Sequence, residues 1–133
     1  MRPQRAFLLL AGVTWLTLAG CASKGYVTGQ VVDNGQPFSI PKGETLGVIF
    51  NSTDAAGKTS ALVTYVQPDG TFAAESGDNS NGLPPGNYKV RLNGDGPTIR
   101  SKMQKSPSLD LKVDKGAKIK LIVDLSKGTI TTQ

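Results

Sequence analysis

A chain of 133 residues with 15 Lys and Arg against 10 Asp and Glu has a formal charge of +5, one cysteine and no histidine. One cysteine excludes an internal disulfide, the lack of His/Cys clusters excludes the usual zinc site, and the missing histidine removes the commonest base near neutral pH. The excess of Lys and Arg is small and scattered, with no basic run, so nucleic acid is not an expected partner.

The first element is a targeting segment. Arg2 and Arg5 precede an apolar run from Ala6 to Leu18. That run is shorter than the roughly 18–20 residues a bilayer-spanning helix needs, and its flanks are those of a signal peptide. It ends in Leu18-Ala19-Gly20-Cys21, which resembles the lipobox of bacterial lipoproteins. In that family the small residues fit a peptidase cleft and the cysteine thiol accepts diacylglycerol. The resemblance implies cleavage before Cys21, lipidation of Cys21, and stable anchoring by two or three acyl chains where one would be marginal. Ala22, in place of Asp, resembles chains sorted to the outer membrane. The expected location is therefore exported and lipid-anchored, at the outer membrane or periplasmic face, with the membrane as the first partner. An ordinary signal peptide cleaved nearby and an uncleaved signal anchor are the alternatives. Three segments follow: signal 1–20, tether 21–25 and a domain over 26–133.

The domain reads as short strands between turns. Tyr26 to Val32 alternates as a first strand, and Asn34-Gly35 is a turn that supplies positive φ. Thr45 to Asn51 is a second strand. Ala61 to Val66 is a third, with Pro68-Asp69-Gly70 turning it into a fourth, Thr71 to Ala74, as a hairpin. Residues 75–82 are a polar surface loop. Pro84-Pro85-Gly86 then reverses the chain into Tyr88 to Leu92, and 93–106 is loop-like. Leu109 to Val113 alternates with Leu109, Leu111 and Val113 inward. Asp114-Lys115-Gly116 is read as a hairpin turn, and Lys118 to Leu125 closes the domain with Ile119, Leu121, Val123 and Leu125 on one face. No segment holds a helical period. Seven short strands in a domain of this length predict an all-β, seven-stranded antiparallel β-sandwich.

Gly29-Gln30-Val31, Gly35-Gln36-Pro37, Asp69-Gly70-Thr71-Phe72 and above all Leu83-Pro84-Pro85-Gly86-Asn87-Tyr88-Lys89-Val90 resemble the transthyretin-like, or carboxypeptidase regulatory-like, β-sandwich domain of small bacterial lipoproteins. The resemblance covers residues 25 to 125. Tyr88 is expected to bury its ring and bond a backbone group through its hydroxyl, as corner tyrosines do, or else to be an ordinary half-buried strand residue. One transthyretin-like branch is hydrolytic, with sites that resemble a histidine set and a C-terminal Tyr-Arg-Gly-Ser. This chain has no histidine and ends Thr131-Thr132-Gln133, so no catalytic residue and no cofactor is expected.

Three surface readings remain. Glu75, Asp78, Asn79 and Asn81 offer hard oxygen donors suited to Ca²⁺, or else bond their own backbone. Arg100, Lys102 and Lys105 form a basic patch for anionic headgroups or acidic glycans, or a merely solvated surface. Phe38, beside Pro37 in a loop, is the aromatic most suited to carbohydrate; Tyr26, Phe50, Tyr65, Phe72 and Tyr88 sit at strand positions and are expected in the core. The partner beyond the membrane is accordingly an envelope protein or a glycan, met by a binding or structural module. Carbohydrate binding is one alternative and a minor envelope enzyme is another.

Overall fold

Period-two alternation, interrupted by turn residues, sets most of the architecture. The computed structural model describes residues 24–54, 56–76 and 80–133, and nothing of the side chains at 76, 80 and 81. In chain order the strands are β1 (Tyr26–Asp33), β2 (Gln36–Pro37), β3 (Thr45–Thr53), β4 (Thr59–Tyr65), β5 (Thr71–Ala73), β6 (Glu75–Ser76), β7 (Ser80–Asn81) and β8 (Gly86–Asp95). A helix, α1 (Pro97–Lys102), precedes β9 (Ser108–Val113), β10 (Lys118–Asp124) and β11 (Thr129–Thr132).

Two sheets pack face to face. One has the order β11-β10-β1-β2, with β5 also on β1; the other is β4-β3-β8-β9, antiparallel throughout. All seven expected strands form, and the all-β sandwich holds. Their inward rows meet in a single core containing Val31, Val48, Phe50, Val90, Leu121 and Val123. Burying one such side chain contributes about 1.5–3 kcal/mol, so the shared core dominates the stability of both sheets.

Local chemistry accounts for the turn between β1 and β2. Asn34 and Gly35 both take positive φ, 53° and 79°, as a two-residue hairpin with the twist of its strands requires. Gly29 has a different role. A Cβ there would stand 2.1 Å from the ring of Phe72, its cross-strand partner. The aromatic ring lies directly on the bare backbone of β1.

Several expectations are corrected. β4 and β5 are joined by a tight turn, with the Gly70 N–H donating to the Gln67 carbonyl at 2.8 Å, but they are not a hairpin. β4 pairs with β3 and β5 with β1, so Pro68-Asp69-Gly70 carries the chain from one sheet to the other. Asp114-Lys115-Gly116 is likewise a crossing, because β9 pairs with β8 and β10 with β1. The β1–β10 pair is parallel, in register from Tyr26 with Lys118 to Val32 with Asp124. β11 continues the sheet beyond the strand expected to close it, and the 75–82 loop contains the small β6–β7 ladder. Tyr26 and Tyr65 are 47% and 65% exposed and lie outside the core.

The 93–106 segment is not all loop: β8 runs to Asp95 and α1 follows. Gly96, its N-cap, offers no side-chain bond. The Glu44 carboxylate accepts from the N–H groups of Thr98 and Ile99 at 2.7 and 3.1 Å instead, which satisfies donors the helix start leaves open. Ile99 is thereby seated fully in the core.

Tyr88 behaves as a corner tyrosine. Its ring is buried, 6.4 Å and edge-on from Phe50, and its hydroxyl donates to the Pro84 carbonyl at 2.5 Å. Burial pushes its phenol pKa up, which keeps the hydroxyl a donor. Tyr88→Phe should cost about 1 kcal/mol, the net worth of one hydrogen bond, in chemical denaturation with an unchanged m-value. Glu44→Ala should cost a similar amount, about 1 kcal/mol, with amide exchange accelerated first at Thr98 and Ile99.

Candidate functional site

The strand registers define two ends. Gly25 stands against Val113 and Asp114, and its N–H donates to the Leu83 carbonyl at 2.9 Å while Leu83 donates back at 2.8 Å. The start of β1, the Pro84-Pro85 segment and the β3–β4 connection therefore share one end, where Lys24 and Gly25 lead into β1. The opposite end holds the turn after β1, the turn after β10, and α1.

A cleft of about 360 Å³ opens at this first end. Phe50, Leu62 and Leu83 give it an apolar floor, with Pro84, Ser52 and Ser60 at its sides. Among the described residues, no three His, Cys, Asp or Glu side chains are grouped to hold a metal ion. Of the calcium candidates, Glu75 is exposed on β6, opposite Asn81 of β7 in the backbone ladder. Asp78 and Asn79 lie outside the described residues, as do Leu18, Ala19, Gly20 and Cys21.

The basic patch is at the far end, and its members do not converge. Lys102 bonds the Asp33 carboxylate at 2.6 Å, tying α1 to the end of β1. Lys105 donates to the Ser126 carbonyl at 3.2 Å. Arg100 pairs with Asp95 at 2.6 Å, but both are about three-quarters exposed, so that pair adds little stability. Each cation already has a partner in the fold. Phe38 is half-buried and packs against the core, with its N–H donating to the Val31 carbonyl at 3.0 Å. Among the described residues the aromatics available to a partner are Tyr65 and Tyr26 instead. Tyr65 is ambiguous in the sequence because Leu62, Thr64 and Val66 alternate with Val63 and Tyr65, and both sets are plausible inward rows.

Asp124, missed by the sequence reading, organises the far end. This buried carboxylate accepts from the Ser126 hydroxyl at 2.6 Å and from the N–H groups of Ser126 and Lys127 at 3.0 and 3.2 Å. The Ser126 hydroxyl is the main cause holding its pKa below the ordinary carboxylate value. Ser126 Oγ also accepts from the Asn34 N–H at 3.1 Å, so one carboxylate fixes the turn that meets the β1–β2 hairpin.

No family model matches the chain, and no curated relative matches it. Solved structures do. A DUF3823 family protein from Parabacteroides merdae is similar at a TM-score of 0.50 and 22% identity over 76% of this chain. An (S)-allantoin synthase is similar at a TM-score of 0.52 and 15% identity over 84% of it. The chain spans 46% and 44% of those two proteins respectively. At such identities the likeness is one of fold.

A carboxylate whose folded pKa is depressed stabilises the fold above its unfolded pKa, and the stabilisation is lost as pH falls through the folded value. Asp124→Asn should therefore lower Tm at neutral pH. The gap from wild type should narrow as pH falls below about 4, the unfolded Asp value. A gap independent of pH would remove the ionised carboxylate from the account.

Proposed function

We propose that the chain is a lipid-anchored protein of the bacterial cell envelope whose β-sandwich is a non-catalytic binding module. The observation that carries this reading is the short join between the lipobox-like Leu18-Ala19-Gly20-Cys21 and the folded chain. Gly25 is already hydrogen-bonded to Leu83, four residues after Cys21. An extended tether of that length reaches about 14 Å, whereas eight-residue β1 is itself about 26 Å long. A lipid on Cys21 would hold the tether end of the sandwich toward the bilayer and the α1 end away from it.

That arrangement speaks against headgroup contact by Arg100, Lys102 and Lys105, which already have partners at the far end. It leaves the flanks of the sandwich open to soluble or wall-bound partners. The absence of histidine from the whole chain supports the non-catalytic part of the reading. The module's role is then to hold a recognition surface at a fixed height above the membrane.

Expression in a Gram-negative host tests the anchor. Wild type should appear as a processed, acylated form in the detergent-extracted membrane fraction, and Cys21→Ser should accumulate as unprocessed precursor. A processed Cys21→Ser form retained normally in the membrane would overturn the reading.

A further inference from the structure

One face of the β4-β3-β8-β9 sheet packs on the core and the other looks out of the sandwich. The register sets three outward rows across it: Tyr65, Gly47 and Asn93; Val63, Ile49 and Arg91; Ala61, Asn51 and Lys89. Tyr65 is 65% and Val63 45% exposed. A Cβ on Gly47 would stand 3.2 Å from Val63 Cγ1 and 3.7 Å from Tyr65 Cε1. The two side chains lean over the glycine and form a low apolar ridge along the sheet edge.

Beside this ridge is an open depression of about 350 Å³, bounded by Ile49, Arg91, Asn93, Ser106 and Pro107. That volume lies within the range of small-ligand sites. Among the described residues the side chains of Asn51, Lys89, Arg91 and Asn93 have neither hydrogen-bond nor ion-pair partners. At the α1 end Arg100 and Lys102 are tied to carboxylates, whereas here the Arg91 guanidinium and the Asn93 amide stand free on the same face as a bare tyrosine. Its outward charges are Lys89, Arg91 and Lys112 against Asp95 and Asp110, and Asp95 is already paired with Arg100, so Arg91 stands beside the depression with no acid among the residues that bound it.

We propose that this face binds an acidic glycan, with one pyranose stacked on Tyr65 and a neighbouring uronate seated in the depression. A pyranose has an apolar C–H face and a rim of hydroxyls. The Tyr65–Val63 ridge suits the first, and the Asn93 and Asn51 amides suit the second. Arg91 offers a planar fork for the carboxylate. Two strand spacings separate Tyr65 on β4 from Asn93 and Arg91 on β8, roughly 10 Å, a distance that two linked pyranose rings span. The polar, charged surroundings of the ridge fit a sugar better than the dry centre of a protein interface. The inference rests on the binding-module reading and is independent of the anchor.

The test is isothermal titration of the full-length chain in detergent micelles with a linear galacturonic acid tetramer and a neutral glucose tetramer. The acidic tetramer should bind saturably at millimolar concentration and more tightly than the neutral one. Tyr65→Ala should weaken binding about tenfold, the loss of one aromatic stack. Arg91→Gln should weaken the acidic tetramer alone by about fivefold, as for an exposed charge pair. Asn93→Ala should also weaken it, with Tm unchanged. Tyr26→Ala, at the exposed tyrosine of the other sheet, should change nothing. No saturable binding of the acidic tetramer would overturn the proposal. Equal affinity for both tetramers, or an equal loss in Tyr26→Ala, would overturn it as well. A chain that binds neither tetramer yet fractionates with the membrane removes this inference and leaves the anchored reading standing.

Discussion

The parallel pairing of β1 with β10 is the constraint on which the rest of the molecule depends. Seven consecutive residues of each strand are in register, which joins the first strand of the domain to its last long one. Parallel neighbours cannot be linked by a hairpin, so the chain between them must leave the sheet and return. It does so by building the whole β4-β3-β8-β9 sheet. β1 also holds β2 and β5 on its other side, and Phe72 of β5 lies on Gly29 at its middle. Both ends of the sandwich are then fixed by what flanks β1: Gly25 with Leu83 at one, Asp33 with Lys102 at the other.

Elements whose determinants are local were legible in the sequence. Asn34-Gly35 specifies its own turn, and Leu109, Leu111 and Val113 mark an inward row whichever strand they pair with. Partners were less legible, because pairing is decided by residues far apart. Pro68-Asp69-Gly70 is a good turn in both a hairpin and a sheet crossing, and only the partners of β4 and β5 distinguish them. α1 has six residues, too few for a helical period, and its cap comes from Glu44, 54 positions before Thr98. β11 buries a single residue, Ile130, which is too little pattern to announce a strand.

The surface was harder to read than the core for a related reason. β4 is apolar in both alternating sets, so a period-two argument cannot decide whether Tyr65 faces in or out. Its neighbours decide: Gly47 on β3 leaves room for the ring outside, while Leu62 is drawn against the core. Charge clusters in sequence misled in the opposite sense. Arg100, Lys102 and Lys105 lie close along the chain, yet each is engaged by a different segment. Lys89 and Arg91 attract less notice in sequence, and it is their alternation on β8 that directs them outward together.

The same topology separates the functions the molecule can hold. The Gly25–Leu83 bonds close one end, the Asp124 and α1 contacts close the other, and the outer face of the second sheet is left open between them. Native-state amide exchange tests the central brace most directly. If the parallel pair organises the fold, amides along β1 and β10, Val31 and Val123 among them, should exchange only through global unfolding, at the free energy found for the centre of β3 and β8. Exchange of β1 by a separate, lower-energy opening while β3 and β8 remain protected would contradict the account.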